Sequence, residues 1–220
     1  MMSKLVSVAA GLALTAEATL RFKGCPDEVK VQETFDADRY SGTWFEIVRD
    51  KWTPYELGQT CVTAQYTVRE DNSIEVFNSG YTPLLGWGGG TASALQPEGR
   101  TDAGLIVNFY EEPKPTDVAN YRIIETDYDN YSIVYSCEDI FADYLSIDFL
   151  WILSRERTMD DMTMLGHLDT ILKVVPDYGF FENHMVCHQG SYCDTPYETR
   201  PQGPIMTTEK EQGDDDKSDK

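Results

Sequence analysis

Residues 61–69 read Cys-Val-Thr-Ala-Gln-Tyr-Thr-Val-Arg, and apolar and polar side chains alternate along them. The apolar side chains share one parity, at Val62, Ala64, Tyr66 and Val68. Because successive side chains of a strand point to opposite faces of its sheet, this pattern predicts a strand with one apolar face.

Similar runs follow at short intervals on both sides of this segment. They predict eight strands, over residues 43–52, 61–69, 74–79, 91–96, 104–110, 121–126, 131–137 and 147–154. Turn-forming segments at 70–73 and 127–130 indicate tight hairpins, and those at 86–90 and 111–115 indicate looser links. Consecutive antiparallel hairpins are therefore expected.

One amphipathic helix follows the strands. Asp160 and Asp161 precede apolar residues spaced by three and four, and Pro176 with Gly179 predicts the end. These apolar residues are Met162, Leu165, Leu168, Ile171, Leu172 and Val175. An open sheet would expose two edges, so the expected fold is all-β: an eight-stranded antiparallel up-and-down β-barrel with one C-terminal α-helix packed on the outside. A barrel of about eight strands has room for one small ligand.

The composition excludes several classes of partner. The 220 residues carry a formal net charge of −20, which disfavours nucleic acid and anionic membranes as partners. Hydrophobic residues make up 41%, too many for a disordered acidic chain. No apolar run approaches the roughly 20 residues of a membrane-spanning helix. A soluble, folded, acidic protein without a transmembrane segment is expected.

The two ends of the chain differ from the strand region. Lys4, the apolar residues 5–16 and Ala16-Glu17-Ala18 predict a secretory signal peptide over residues 1–18, with a buried N-terminal helix or strand as the alternative. Residues 201–220 predict a disordered acidic tail. A single domain is then expected over residues 19–200, in a secreted, extracellular protein.

The five cysteines are widely spaced, without any C-x-x-C pair. A zinc site is therefore not predicted, although the group His184, Cys187 and His188 is an alternative metal site. Behind a signal peptide, disulfides are favoured, and the odd count leaves one thiol outside them. Cysteine spacing alone leaves the pairing open.

Three segments, in order, resemble the signature regions of the lipocalins: Arg-Tyr-Ser-Gly-Thr-Trp-Phe-Glu-Ile at 39–47, Thr126-Asp127-Tyr128, and Arg155. Residues 24–26, 131–137 and 148–153 are similar to the branch that includes apolipoprotein D, the insect bilin-binding proteins and the crustacyanins. The resemblance covers residues 24–197 and implies the lipocalin calyx.

A closed end is expected where these segments meet. Gly42 permits the turn into the first strand, Trp44 lies across the narrow end, and the guanidinium of Arg155 stacks on the Trp44 indole. The structural set at this end is Gly42, Trp44, Thr126, Asp127, Tyr128 and Arg155.

The resemblance also implies two disulfides, Cys25 to Cys137 and Cys61 to Cys193. Cys187 then remains a thiol outside both, available for an intermolecular bond. A pairing of Cys61 with Cys187 in place of Cys193 is left open.

The ligand-binding residues follow from parity and from the resemblance. Alternate residues counted back from Arg155 place Leu153, Trp151 and Phe149 inward, and the resemblance implies Tyr66, Asn78 and Trp151 as pocket positions. With two aromatic candidates on neighbouring strands, the expected set is Tyr66, Asn78, Tyr121, Tyr135, Phe149, Trp151 and Leu153. Such a lining suits a hydrophobic ligand with one or two polar groups: a fatty acid, retinoid, carotenoid, bilin or steroid. No metal or other cofactor is required.

Residues 81–90, here called the 80s segment, are apolar at the centre and glycine-rich at one edge. The segment is interpreted as a loop that forms a lid, a membrane-touching tip or a partner patch, or packs on its own barrel. Asn130-Tyr131-Ser132 is an N-glycosylation sequon in a tight hairpin.

The leading functional hypothesis is a secreted binding and transport protein for a small hydrophobic ligand, and not an enzyme. The alternative is a carotenoid- or bilin-binding pigment-protein subunit that forms a homodimer or heterodimer through the 80s segment or Cys187. A lipocalin-type enzyme is less favoured because Cys61 is assigned to a disulfide and the histidines lie outside the predicted strands.

Overall fold

The computed structural model describes residues 20–193, with gaps at 27, 52, 54–55, 142–143, 179–183 and 188. The predicted signal peptide and the predicted acidic tail lie outside the described residues, as do the bounds of the predicted domain.

The described residues form ten strands and two α-helices. In chain order they are β1 (Leu20–Arg21), α1 (Ala37–Tyr40), β2 (Gly42–Asp50), β3 (Thr60–Val68), β4 (Ile74–Thr82), β5 (Gly86–Leu95), β6 (Gly104–Asn108), β7 (Tyr121–Thr126), β8 (Tyr131–Phe141), β9 (Leu145–Ser154), α2 (Asp161–Val174) and β10 (His184–Val186). A 3-10 turn at Ser191–Cys193 follows.

Strands β2 to β9 form a closed barrel. Each pairs antiparallel with the next in sequence, and β9 pairs back onto β2, with Phe45 opposite Ser154 and Arg49 opposite Trp151. The predicted eight-stranded antiparallel up-and-down barrel is confirmed. The two short strands lie where β9 meets β2: β1 pairs antiparallel with the start of β9, and β10 pairs antiparallel with the end of β2.

The 80s segment is a hairpin rather than a loop. Strand β4 continues to Thr82 and β5 begins at Gly86, so the prediction of a loose link over residues 86–90 is wrong. Gly89 is needed for close packing, because a Cβ at this position would lie 2.6 Å from Cζ of Phe77. The chain order places the β4–β5 turn at the end opposite Gly42.

Helix α2 packs on the outside of the barrel, as predicted. Asp160 caps it by accepting hydrogen bonds from the backbone N–H groups of Met162 and Thr163. Leu168 and Ile171 are buried against the sheet, whereas Met162 and Leu165 of the predicted apolar stripe are exposed. The face of α2 that contacts the sheet therefore includes the buried His167 as well as Leu168 and Ile171.

The barrel wall separates two clusters of buried side chains. The inner cluster includes Trp44, Tyr66, Val134, Phe149, Trp151 and Leu153. The outer cluster lies between the sheet and α2, and includes Ile47, Ile133, Leu150, Ile152, Leu168 and Ile171. Strands β8 and β9 are therefore buried on both faces.

Two disulfides join the described residues. Cys25–Cys137 ties the N-terminal segment to β8, and Cys61–Cys193 ties β3 to the C-terminal 3-10 turn. Cys187 belongs to neither disulfide and is buried. The predicted pairing is confirmed.

Candidate functional site

The start of β2 and the end of β9 meet at one end of the barrel, which Trp44 closes. The Trp44 side chain is completely buried, and the guanidinium carbon of Arg155 lies 3.7 Å from its ring centroid. Gly42 has φ +94°, in the region that favours glycine. The Arg155 side chain donates hydrogen bonds to the carbonyl oxygens of Arg39, Tyr40, Ser41, Thr43 and Tyr128.

The turn between β7 and β8 completes this end. Thr126 Oγ1 accepts from the backbone N–H of Tyr128, and the Asp127 carboxylate accepts from the N–H groups of Asn130 and Tyr131. Although burial opposes the shift, the hydrogen bonds from Asn130 lower the pKa of Asp127. Asn130 also donates its side-chain N–H to Asp127 and is exposed. Its glycosylation remains a prediction.

An aromatic wall faces the barrel interior. The ring of Trp151 stacks on Phe149 at 5.8 Å with an interplanar angle of 17°, and on Tyr121 at 6.5 Å and 27°. The hydroxyls of Tyr121 and Tyr66 are hydrogen-bonded at 2.7 Å. Burial raises the pKa of both tyrosines well above the usual value, so the hydroxyls stay neutral.

Leu153 and Asn78 lie on the same inner face. Leu153 belongs to the inner cluster. Asn78 is opposite Ala64 and Gly90, and Ala64 packs against the inner cluster. The Oδ1 atom of Asn78 is buried and has no hydrogen-bond partner among the described residues. A buried acceptor without a donor is costly, which makes it a natural contact for a polar ligand group.

Tyr135 does not face the interior, so the sequence prediction is wrong for this residue. In the register of β8 and β9, Val134 lies opposite Trp151 and Tyr135 lies opposite Leu150. Tyr135 therefore belongs to the outer cluster, and its hydroxyl donates to Asp148 at 3.0 Å. Val134 takes the inward position.

Three charged residues that were not predicted as site residues lie beside Trp151. Glu46, Arg49 and Glu56, here called the acid–arginine cluster, are 2%, 1% and 6% exposed. Glu46 is opposite Leu153 and Arg49 is opposite Trp151. Glu46 has the same parity as Trp44, so alternation along the strand places it inward. The same alternation would place Arg49 outward, but a bulge between Glu46 and Val48 turns Arg49 to the inner face. No sequence pattern predicts this bulge.

The described residues contain no group of three His, Cys, Asp or Glu side chains arranged to hold a metal ion. His188, part of the alternative metal site, is outside these residues. In the same part of the chain, neither helix has the length and apolar composition that a membrane crossing requires.

Comparison with known proteins agrees with this geometry. Residues 35–186 match the family model of a lipocalin-like domain. The chain is 37% identical over 172 residues to the Lazarillo protein of Schistocerca americana, covering 73% of this chain and 74% of that protein. It is 35% identical over 170 residues to apolipoprotein D of Cavia porcellus, covering 74% and 84%.

Solved structures of this fold are similar as well. Insecticyanin from the tobacco hornworm Manduca sexta superposes with a TM-score of 0.67 at 20% identity, covering 86% of this chain and 97% of that chain. Lobster apocrustacyanin A1 gives 0.57 at 22% identity, covering 80% and 97%. With a closed eight-stranded barrel, a Trp44–Arg155 closed end and these relatives, the chain belongs to the lipocalin family.

Proposed function

We propose that the protein is a secreted carrier that binds one small hydrophobic molecule non-covalently inside the barrel. The observation that carries the proposal is the inward aromatic wall of Tyr66, Tyr121, Phe149 and Trp151. On the same inner face, Oδ1 of Asn78 has no hydrogen-bond partner among the described residues. Stacked rings offer apolar contact area, and the amide selects a ligand with a polar group. Family membership supports the same ligand class.

The ligand contacts in this proposal are Tyr66, Asn78, Tyr121, Phe149, Trp151 and Leu153. Because Tyr135 faces outward, it is not among them. The lining suits a fatty acid, retinoid, carotenoid, bilin or steroid, with no metal or other cofactor. Extraction of the native protein followed by mass spectrometry identifies the molecule it carries.

Titration of the purified protein with all-trans-retinol tests the proposed pocket. Trp151→Ala removes the ring that stacks on two other aromatic residues. An affinity loss of about tenfold or more, equivalent to about 1.4 kcal/mol, is therefore expected. Trp87→Ala is the matched control, because Trp87 is opposite Tyr81 on the outward parity of the β4–β5 hairpin. Equal losses in the two variants, or none in Trp151→Ala, would contradict the proposed pocket.

A second candidate is a pigment-binding subunit that dimerises through the 80s segment. Leu84 and Leu85 at the hairpin tip are 89% and 81% exposed, beside the open end of the barrel. Contact through the tip would bury these two side chains. A bond through Cys187 is disfavoured, because that thiol is buried and donates to Glu46 at 3.0 Å. Visible absorbance that co-elutes with a dimer, lost in Leu84→Ser with Leu85→Ser, supports this candidate; a colourless monomer contradicts it.

A further inference from the structure

The acid–arginine cluster holds two carboxyl groups and one guanidinium out of water. Arg49 donates to Glu46 Oε1 at 2.8 Å and to the carbonyl oxygen of Gln59 at 2.9 Å. The Cys187 thiol donates to the same Glu46 oxygen at 3.0 Å. Glu46 is therefore the carboxylate that forms the ion pair with Arg49.

Glu56 lies on the other side of Glu46. Two buried carboxyl groups share one guanidinium in this cluster, so one of them must hold a proton for the charges to balance. Burial raises the pKa of Glu56 well above the usual range, and the adjacent charge of Glu46 raises it further, against the attraction of Arg49. With Glu46 paired to Arg49, Glu56 is the partner that holds the proton, and the cluster is electrically neutral.

The second oxygen of Glu56 contacts the aromatic wall. Oε2 accepts a hydrogen bond from Nε1 of Trp151 at 3.2 Å. Because the Trp151 ring stacks on Phe149 and Tyr121, the orientation of its plane sets the shape of the wall. The indole has a single N–H donor, so Glu56 is its anchor.

We infer that Glu56, which accepts the hydrogen bond of the Trp151 indole inside the acid–arginine cluster, is a positioning residue that fixes the ring on which the ligand packs. This inference rests on the proposed ligand-binding function. Glu56 need not touch the ligand; it acts through Trp151. The groups that face it are Glu46 and Arg49 from β2, Trp151 from β9 and, across Glu46, Cys187 from the C-terminal segment.

Loss of the proton from Glu56 would leave two carboxylates facing one guanidinium, and their repulsion would displace the Glu56 side chain that holds the indole. Ligand affinity is therefore expected to fall as the pH rises, even for a ligand with no titrating group. Glu56→Gln is neutral at every pH and keeps the acceptor, since its amide carbonyl oxygen accepts from Trp151. Glu56→Ala removes the acceptor of the indole N–H at every pH.

The experiment measures retinol affinity of the full chain and the emission of Trp151 in the unliganded protein, from about pH 5 to about pH 9, a range in which this neutral alcohol does not ionise. Subtraction of the Trp151→Phe spectrum isolates the Trp151 emission. The wild type is expected to lose affinity and shift its emission as the pH rises. Glu56→Gln is expected to keep the low-pH affinity and emission throughout, and Glu56→Ala to bind about tenfold more weakly at all pH values, for one lost hydrogen bond of about 1.4 kcal/mol.

The outcomes separate this inference from the proposed function. If the wild type binds retinol and Trp151→Ala does not, but Glu56→Gln follows the wild-type pH profile, the positioning role is wrong and the pocket stands. If the wild type does not bind retinol, the proposed pocket fails for this probe, and the emission of Trp151 still decides the positioning role. A Trp151 emission that is independent of pH in the wild type, or equally dependent in Glu56→Gln, overturns the inference. Should Glu56→Ala not fold, the comparison of wild type with Glu56→Gln is sufficient.

Discussion

Arg155→Ala should lower the free energy of unfolding substantially, because it weakens the closed end of the barrel, and should change ligand affinity little. Three of its hydrogen bonds, to the carbonyl oxygens of Tyr40, Ser41 and Tyr128, are partly buried. The bond to Tyr40 is the longest, at 3.3 Å, so only the other two are counted, at about 1.5 kcal/mol each. The cation–π contact with Trp44 adds about 1 kcal/mol. Water replaces the exposed bonds, so the expected loss in the free energy of unfolding is about 4 kcal/mol, or about 8 to 16 °C in Tm for a chain of this length.

Thermal unfolding followed by circular dichroism, with retinol affinity measured below the transition, tests this expectation. Arg157→Ala is the matched control, because that guanidinium lies 4.6 Å from the Phe45 ring centroid and donates to the carbonyl oxygen of Cys193. A smaller loss is expected there, about 1 to 2 kcal/mol. The reasoning fails if Arg155→Ala melts within about 2 °C of the wild type, or if it loses ligand affinity while its Tm is unchanged.

Three further outcomes are expected. Gly89→Ala should lower the free energy of unfolding by about 2 kcal/mol in urea denaturation, because its Cβ would lie 2.6 Å from the Phe77 ring. Gly88→Ala is the control and should be nearly neutral, because a Cβ there meets nothing within 4 Å. Equal effects of the two substitutions would contradict this packing. Replacement of both Cys61 and Cys193 by Ser should cost about 5 kcal/mol by the same assay, for a loop of 132 residues, and a change below about 1 kcal/mol would refute the loop-entropy estimate. Burial lowers the pKa of His167, so below about pH 6.5 the unfolded state binds the proton more readily and the wild type loses stability. His167→Phe has no such group, so its free energy of unfolding should rise relative to that of the wild type as the pH falls from about 7 to about 5. A difference that does not change with pH would contradict this.

The fold was largely predictable because the barrel is built from consecutive hairpins with local turn signals. Strand β7 was predicted at its observed bounds, and the order of strands was confirmed. The β4–β5 hairpin was missed because its glycines carry a turn signal in isolation. Their pairing with Asn78, Ser79 and Gly80, and the ring of Phe77 over Gly89, are contacts across two strands that no single segment reveals.

The site was less predictable where a strand is buried on both faces. Ile133, Val134 and Tyr135 are all apolar, because the interior covers one face of β8 and helix α2 covers the other. Periodicity therefore gives no inward direction, and Tyr135 was assigned to the wrong face. Glu56 was missed for a different reason: it lies in the segment between β2 and β3, and its role depends on a hydrogen bond to Trp151, 95 residues away.

The outer cluster between the sheet and α2 changes how this protein can evolve. A barrel that holds a ligand cannot fill its whole interior with its own side chains, so part of the free energy of folding must come from contacts outside the barrel. Leu168 and Ile171 supply it from the outside, against Leu150 and Ile152. Inward-facing residues alternate with outer-cluster residues along β8 and β9. Substitutions at the inward positions can therefore change ligand preference, while the outward positions under α2 preserve the fold.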